Sequence, residues 1–217
     1  MQLFLDGSDI DKIRQYCGLG LIDGVTTNPS IILKSGKNMI EVISELAGIV
    51  SGSVSAEVSA LDSDTMVQEG IKLAEIAENV TVKLPITWDG LKACKTLSNK
   101  GISVNMTLCF SSSQALLAAK AGAEYVSPFI GRLDDLNLEG IDLISDIKLI
   151  YSNYKFSTKI LAASIRTVNH VKQCARFGAD VATIPLDIFE KLVKHPLTDS
   201  GLSQFTADWE KTGQSII

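Results

Sequence analysis

Apolar residues recur along the chain in two alternating rhythms. Short runs of two to five apolar or β-branched residues are separated by longer stretches in which apolar positions return every three or four residues. The short runs read as strands and the longer ones as amphipathic helices. The first run is Leu3-Phe4-Leu5, followed by a helical stretch that opens at Ser8, read as its N-cap. The next runs are Val25-Thr26-Thr27 and Val54-Ser55-Ala56. After the latter, Met66, Val67, Ile71, Ala74 and Ile76 keep helical spacing. Val80-Thr81-Val82 is the fourth run, and its helix carries Leu91, Ala93, Cys94 and Leu97. Ile102 to Met106 is the fifth. The spacing predicts a helix from Ser111 to Ala121 after it, closed by Gly122. Tyr125-Val126, Ile160 to Ala163 and Val181 to Ile184 complete the series.

These runs make eight strand–helix units of about 27 residues each, enough for a strand, a helix and two short loops. Strands separated by helices pair in parallel, because a parallel crossover needs a dozen or more residues. Eight such units predict a single-domain (β/α)8 TIM barrel over residues 1–217. An open doubly wound sheet is the competing arrangement, but no G-x-G-x-x-G or P-loop favours it. A further helix, Thr198 to Lys211, forms a C-terminal extension over residues 198–217. Its Leu202, Phe205 and Trp209 fall on one side, to pack on the barrel or on another subunit.

Composition narrows the function. The 217 residues include 46% hydrophobic and 21% charged, an ordinary globular balance. The net charge of −5, with no run of Lys or Arg, argues against a nucleic-acid partner. An anionic small substrate remains compatible if cations are placed locally. Cys17, Cys94, Cys109 and Cys174 form no C-x-x-C pair and His170 and His195 are the only histidines, so no metal or haem cofactor is expected. The scattered thiols point to a reducing, cytoplasmic setting. The start MQLFLDGSD lacks a basic n-region, and no apolar run reaches the roughly 18 residues of a membrane span. The N-x-[ST] matches at Asn79 and Asn105 are then chance, and Pro29 excludes Asn28.

Candidate chemistry gathers where the predicted strands end. Asp6, Asn28, Glu57, Lys83, Thr107, Ser127 and Ser164 stand at the ends of the first seven; the eighth shows no polar terminus. In a barrel these positions converge on the C-terminal face, where active sites are built. Singly they are weak: Asp6 serves equally well as a turn or cap, Asn28-Pro29-Ser30 as a helix start, and the hydroxyls as loop residues. A lysine ending an apolar strand ordinarily snorkels to solvent. At a barrel mouth, however, burial favours the neutral amine, a nucleophile toward carbonyls. Arg132 and Arg166 follow the sixth and seventh strands, and their planar forks suit phosphate. A helix start near Thr167 adds N–H donors. The alternative is a solvated pair, with Arg132 bound to Asp134 or Asp135.

Four motifs carry a family resemblance: Gly24-Val25-Thr26-Thr27-Asn28-Pro29-Ser30, Val82-Lys83-Leu84-Pro85, Val126-Ser127-Pro128-Phe129-Ile130-Gly131-Arg132, and Ala162-Ala163-Ser164-Ile165-Arg166. In this order and spacing the chain resembles the transaldolase family, in the short subfamily that also holds fructose-6-phosphate aldolases. The resemblance implies a Schiff base on Lys83, acid/base work at the C4 hydroxyl by Asp6, and a substrate hydroxyl held by Asn28. It implies a catalytic water held by Glu57 and Thr107, and a phosphate site of Arg132, Ser164 and Arg166. Ser127 and Phe129 line the donor pocket. It also implies phosphorylated sugar substrates and a homo-oligomer, pentameric or decameric. The aldolase branch resembles itself in carrying Gln and Tyr where Glu57 and Phe129 stand, which favours transfer of the three-carbon unit over its release. A non-catalytic sugar-phosphate barrel has no need of Asp6, Glu57 and Lys83 together. A deoxyribose-phosphate type of Schiff-base aldolase does not fit the Thr26 to Ser30 motif.

Overall fold

A computed structural model describes residues 1–217. Its strands are β1 (Gln2–Asp6), β2 (Gly24–Thr26), β3 (Val54–Glu57), β4 (Val80–Pro85), β5 (Val104–Cys109), β6 (Tyr125–Pro128), β7 (Lys159–Ala162) and β8 (Val181–Pro185). The helices are α1 (Ile10–Gly18), α2 (Pro29–Ser35), α3 (Met39–Ile49), α4 (Ser63–Ala74), α5 (Trp88–Ser98), α6 (Ser112–Ala121), α7 (Ile130–Asp134), α8 (Gly140–Tyr154), α9 (Val168–Phe177), α10 (Leu186–Phe189) and α11 (Pro196–Thr212). The strands pair in parallel in chain order and β8 closes on β1, a (β/α)8 barrel with a C-terminal helix. The regular unit is interrupted three times. Short α2, α7 and α10 sit directly after β2, β6 and β8, before or in place of the expected helix.

Side chains alternate across each strand, so the barrel has two interiors. The outward set, including Leu5, Val25, Val54, Ala56, Val82, Leu84, Met106, Val126 and Ile184, packs against the helices as one continuous apolar core. The inward set is layered. Phe4, Tyr125, Leu161 and Val181 form a separate small apolar cluster toward the strand starts. Gly24 makes room for it, since a β-carbon there would stand 2.5 Å from the Phe4 ring and 2.7 Å from the Ser53 carbonyl. Above that layer the interior is polar: Thr26, Ser55, Thr81, Lys83, Asn105, Thr107, Ser127 and Thr183 are all buried. Their hydrogen bonds leap over intervening strands, as from Thr26 on β2 to Thr183 on β8 (2.6 Å) and from Asn105 on β5 to Ser55 on β3 (3.3 Å). Such bonds run through the barrel lumen.

Local sequence sets the helix ends. Asn28, Asn38, Asp62, Thr87, Ser111 and Thr167 each accept from a backbone N–H in the first turn of the helix that follows, a contribution of about 1 kcal/mol apiece. Gly122 ends α6 in the left-handed conformation with φ 91°, as the sequence predicts. The first helix departs from expectation: Asp9, not Ser8, is its N-cap and accepts from Lys12 N–H at 3.1 Å. α4 ends at Ala74, so Ile76 lies beyond it. Asn79 spends its amide group on the carbonyls of Ala47, Val50 and Gly52, a structural use of one chance N-x-[ST] match.

Candidate active site

The polar layer opens at the C-terminal ends of the strands, and Lys83 stands at its centre. β4 presents Lys83 inward between Val82 and Leu84, both buried on the helix side. Only 5% of Lys83 is exposed. Its Nζ lies 2.9 Å from Glu57 Oε2 and donates to the Thr27 carbonyl at 3.1 Å. Register explains the first contact, since Glu57 and Lys83 are direct partners across the β3–β4 ladder. Burial is therefore not the only influence on this amine. The Glu57 carboxylate faces it directly as an ion-pair partner.

Asp6 enters from the other side of the mouth. It accepts from Thr26 Oγ1 at 2.8 Å, and Thr26 is in turn bonded to Thr183. Burial pushes the Asp6 carboxyl above its ordinary range; the Thr26 hydroxyl and the Lys83 charge pull it down, and Glu57 pushes it further up. Asp6, Glu57 and Lys83 thus act on one another electrostatically. The eighth strand ends in Pro185 and has no polar terminus, but Thr183, two residues earlier, turns its hydroxyl into the lumen and holds the Asp6 partner.

Asn28 has the capping role as well as a free hand. Its Oδ1 accepts from Ile31 N–H at 3.0 Å, Nδ2 makes no hydrogen bond within the protein, and the residue lines a cavity of about 300 Å³ with Thr27 and Glu57. Thr107 is fully buried and its Oγ1 has no hydrogen-bond partner. A buried orphan hydroxyl in a native interior calls for an explanation. β5 changes register between Met106 and Cys109, and Leu108 takes a left-handed φ of 59°. This irregularity surrounds Thr107. Ser127 does not offer its proton to the mouth: it donates to Asn105 Oδ1 at 2.8 Å. Asn105, not singled out from the sequence as a site residue, is the ladder partner of Lys83 and links Ser127 to Ser55. The signal for it was strand alternation, which places Asn105 on the same inward face as Thr107.

The second group forms a rim. Phe129 stacks edge-on against Phe110, with ring centroids 5.7 Å apart, and Arg132 lies over the Phe129 ring at 5.0 Å. Arg132 makes no ion pair with Asp134 or Asp135. Instead Arg166 grips Asp135 with both terminal nitrogens, Nη2 to Oδ2 at 2.6 Å. That fork holds the Asp135 carboxyl below its ordinary range. Ser164 has a left-handed φ of 59°, and its carbonyl accepts from Gly131 N–H. Gly131 is required there: a β-carbon would strike the Ser164 carbonyl and come within 2.8 Å of Arg166 Nε. No hydrogen bond or ion pair joins this rim to the Lys83 group.

Fold and site together define a (β/α)8 barrel whose mouth is organised around a buried lysine amine. The sequence profile described as "Transaldolase/Fructose-6-phosphate aldolase" matches residues 3–216, and the chain belongs to that family. It is 65% identical over 217 residues to a probable transaldolase of Roseobacter denitrificans, and 61% identical over 217 residues to one of Dinoroseobacter shibae, each alignment covering both chains entirely. A third, from Parvibaculum lavamentivorans, is 61% identical over 218 residues, with both chains fully covered. Among solved structures, thiamine phosphate pyrophosphorylase from Pyrococcus furiosus superposes with a TM-score of 0.58 at 13% identity over 85% of each chain, a likeness of fold alone.

Proposed function

We propose that this chain is a transaldolase. It moves a dihydroxyacetone unit from sedoheptulose 7-phosphate or fructose 6-phosphate to glyceraldehyde 3-phosphate or erythrose 4-phosphate, within the pentose phosphate pathway. The observation that carries the reading is the buried Lys83 amine 2.9 Å from the Glu57 carboxylate, with Asp6 in the same field. The Lys83 proton passes to Glu57, and the free amine attacks the C2 carbonyl of the donor. The carbinolamine hydroxyl leaves as water, protonated from Glu57 through a water that the unpartnered Thr107 hydroxyl is suited to hold. Asp6 removes the C4 hydroxyl proton, the C3–C4 bond breaks, and its electron pair moves into the iminium. An aldose phosphate departs and a three-carbon enamine stays on Lys83. The enamine attacks the aldehyde of the acceptor, and the steps reverse.

Asn28 holds a substrate hydroxyl beside the lysine, a role supported by its amide nitrogen being left over from the capping bond, and Ser127 and Phe129 line the donor pocket. Arg132, Ser164 and Arg166 serve the phosphate. Glu57 and Phe129, where the aldolase branch resembles itself in Gln and Tyr, favour transfer over release. The chemistry supplies a reason: an ionisable carboxylate and a water deliver protons to the enamine differently from a neutral amide and a phenol. The test supplies fructose 6-phosphate and erythrose 4-phosphate and measures both products. Formation of sedoheptulose 7-phosphate far ahead of free dihydroxyacetone supports transfer. Comparable rates assign the chain to the aldolase branch, which releases dihydroxyacetone.

The exposed face of α11 supports a homo-oligomer, pentameric or decameric. Leu202, Phe205 and Trp209 are exposed and do not pack on their own barrel. The four unpaired cysteines fit a cytoplasmic protein.

A further inference from the structure

Arg132 and Arg166 belong to the same proposed phosphate site but stand in different states. Arg132 rests over the Phe129 ring and makes no ion pair, although its charge, with that of Arg166, helps to hold the Asp135 carboxyl low. Arg166 has both terminal nitrogens committed to the two oxygens of Asp135. That parallel two-bond arrangement is the one a guanidinium offers to a phosphoryl group. The remaining edge of the fork lies beside Gly131, where an added β-carbon would come within 2.8 Å of Arg166 Nε.

The segment around Arg166 is held in place. Its backbone N–H donates to His170 Nδ1 at 3.3 Å. With Nδ1 accepting, the neutral ring carries its proton on Nε2, which lies 3.3 Å from Asp134 Oδ2. The other oxygen of Asp134 accepts from Gly140 N–H at 3.0 Å. His170 and Asp134 therefore staple the β7–α9 connection to the start of α8. Asp135, next in sequence to Asp134, is outside this staple. It lies just past the end of α7, with half of its side chain exposed and Arg166 as its one side-chain partner.

We propose that Asp135 is an internal competitor for the phosphoryl group: its carboxylate occupies the Arg166 fork and must swing away before a substrate phosphate takes that place. This rests on the reading of Arg166 as a phosphate ligand. The competitor is a single negative charge on a short, half-exposed side chain, so a dianionic phosphoryl group displaces it readily. A neutral sugar has nothing with which to displace it. Asp135 keeps the fork oriented between turnovers and lowers its apparent affinity for phosphate. It is a positioning residue and touches none of the reacting atoms.

The test titrates inorganic phosphate into the wild-type protein, Asp135→Asn, Arg166→Ala and the double variant. Both positions are on the surface, and neither substitution enters the core. The expected result is tighter phosphate binding by Asp135→Asn, about two- to five-fold, the scale of one exposed ion pair. That gain should vanish in the Arg166→Ala background. In turnover, the ratio of kcat/KM for fructose 6-phosphate to that for fructose should rise by a similar factor in Asp135→Asn, because only the phosphorylated sugar uses the Arg166 fork; an unchanged or lower ratio overturns the proposal. If Arg166→Ala weakens phosphate binding while Asp135→Asn does not strengthen it, the competitor role is wrong and the phosphate site stands. A gain that persists without Arg166 is a general charge effect and also overturns the proposal. If Arg166→Ala leaves phosphate affinity unchanged, the phosphate reading itself fails.

Discussion

Asp6 is the residue at which chemistry and stability pull in opposite directions. Its carboxyl is raised chiefly by burial, so between the ordinary aspartate range and the raised native value the folded protein holds a proton that the unfolded chain has released. Stability is therefore lost as pH rises through that window, and the ionised base needed for catalysis is the less stable form. Asp6→Asn keeps an acceptor for Thr26 and removes the charge. Thermal unfolding above that window should show a higher midpoint for the variant, by about 2–4 °C per kcal/mol relieved in a chain of this size. Transfer activity should fall by about 10²-fold or more. The wild-type kcat/KM should lose activity on the acid side at a pH above the ordinary aspartate range, and an acid limb at the ordinary range would contradict the assignment. Lys83 and Glu57 were expected from the sequence at strand ends; Glu57 does end β3, whereas β4 continues past Lys83 to Pro85, and their pairing follows from register. The Arg166–Asp135 fork was not legible, because Asp134 and Asp135 offer two adjacent carboxylates and only the end of α7 decides which one faces which cation.

At the scale of elements, strand alternation explains what a run of apolar letters conceals. Val80-Thr81-Val82-Lys83 reads as an apolar run with a polar end, yet Thr81 and Lys83 share the lumen while the valines face helices. The same rule places Thr183 and Asn105 inside, and neither lies at a strand end. The short α2, α7 and α10 left no periodicity, since four to seven residues are too few to repeat. α7 depends on close approach at Gly131. Gly131→Ala forces the added carbon against the Ser164 carbonyl and Arg166 Nε, at a cost of about 1–3 kcal/mol. The expected outcome is a raised KM for fructose 6-phosphate and weaker phosphate binding, with the Lys83 group undisturbed. A fall in kcat at unchanged KM would mean that the rim and the lysine are coupled, against the separation described above.

For the whole molecule, the eight-fold rhythm of the sequence carries the fold, because each strand–helix unit repeats the same problem of burying one apolar face. The apolar side of α11 has no such solution within the chain: Leu202, Phe205 and Trp209 stay exposed. Sedimentation should give a mass that is a multiple of 23.3 kDa, and Phe205→Ser with Trp209→Ser should shift it toward the monomer. A wild-type monomer would contradict the oligomer.

The central claim is a covalent bond to Lys83. Incubation with fructose 6-phosphate, reduction by borohydride and peptide mass analysis tests it most directly. The account predicts a reduced three-carbon adduct on the peptide that contains Lys83, absent in Lys83→Met. No adduct on a folded protein, or an adduct confined to another lysine, would contradict it and leave a barrel that binds sugar phosphates without bonding to them.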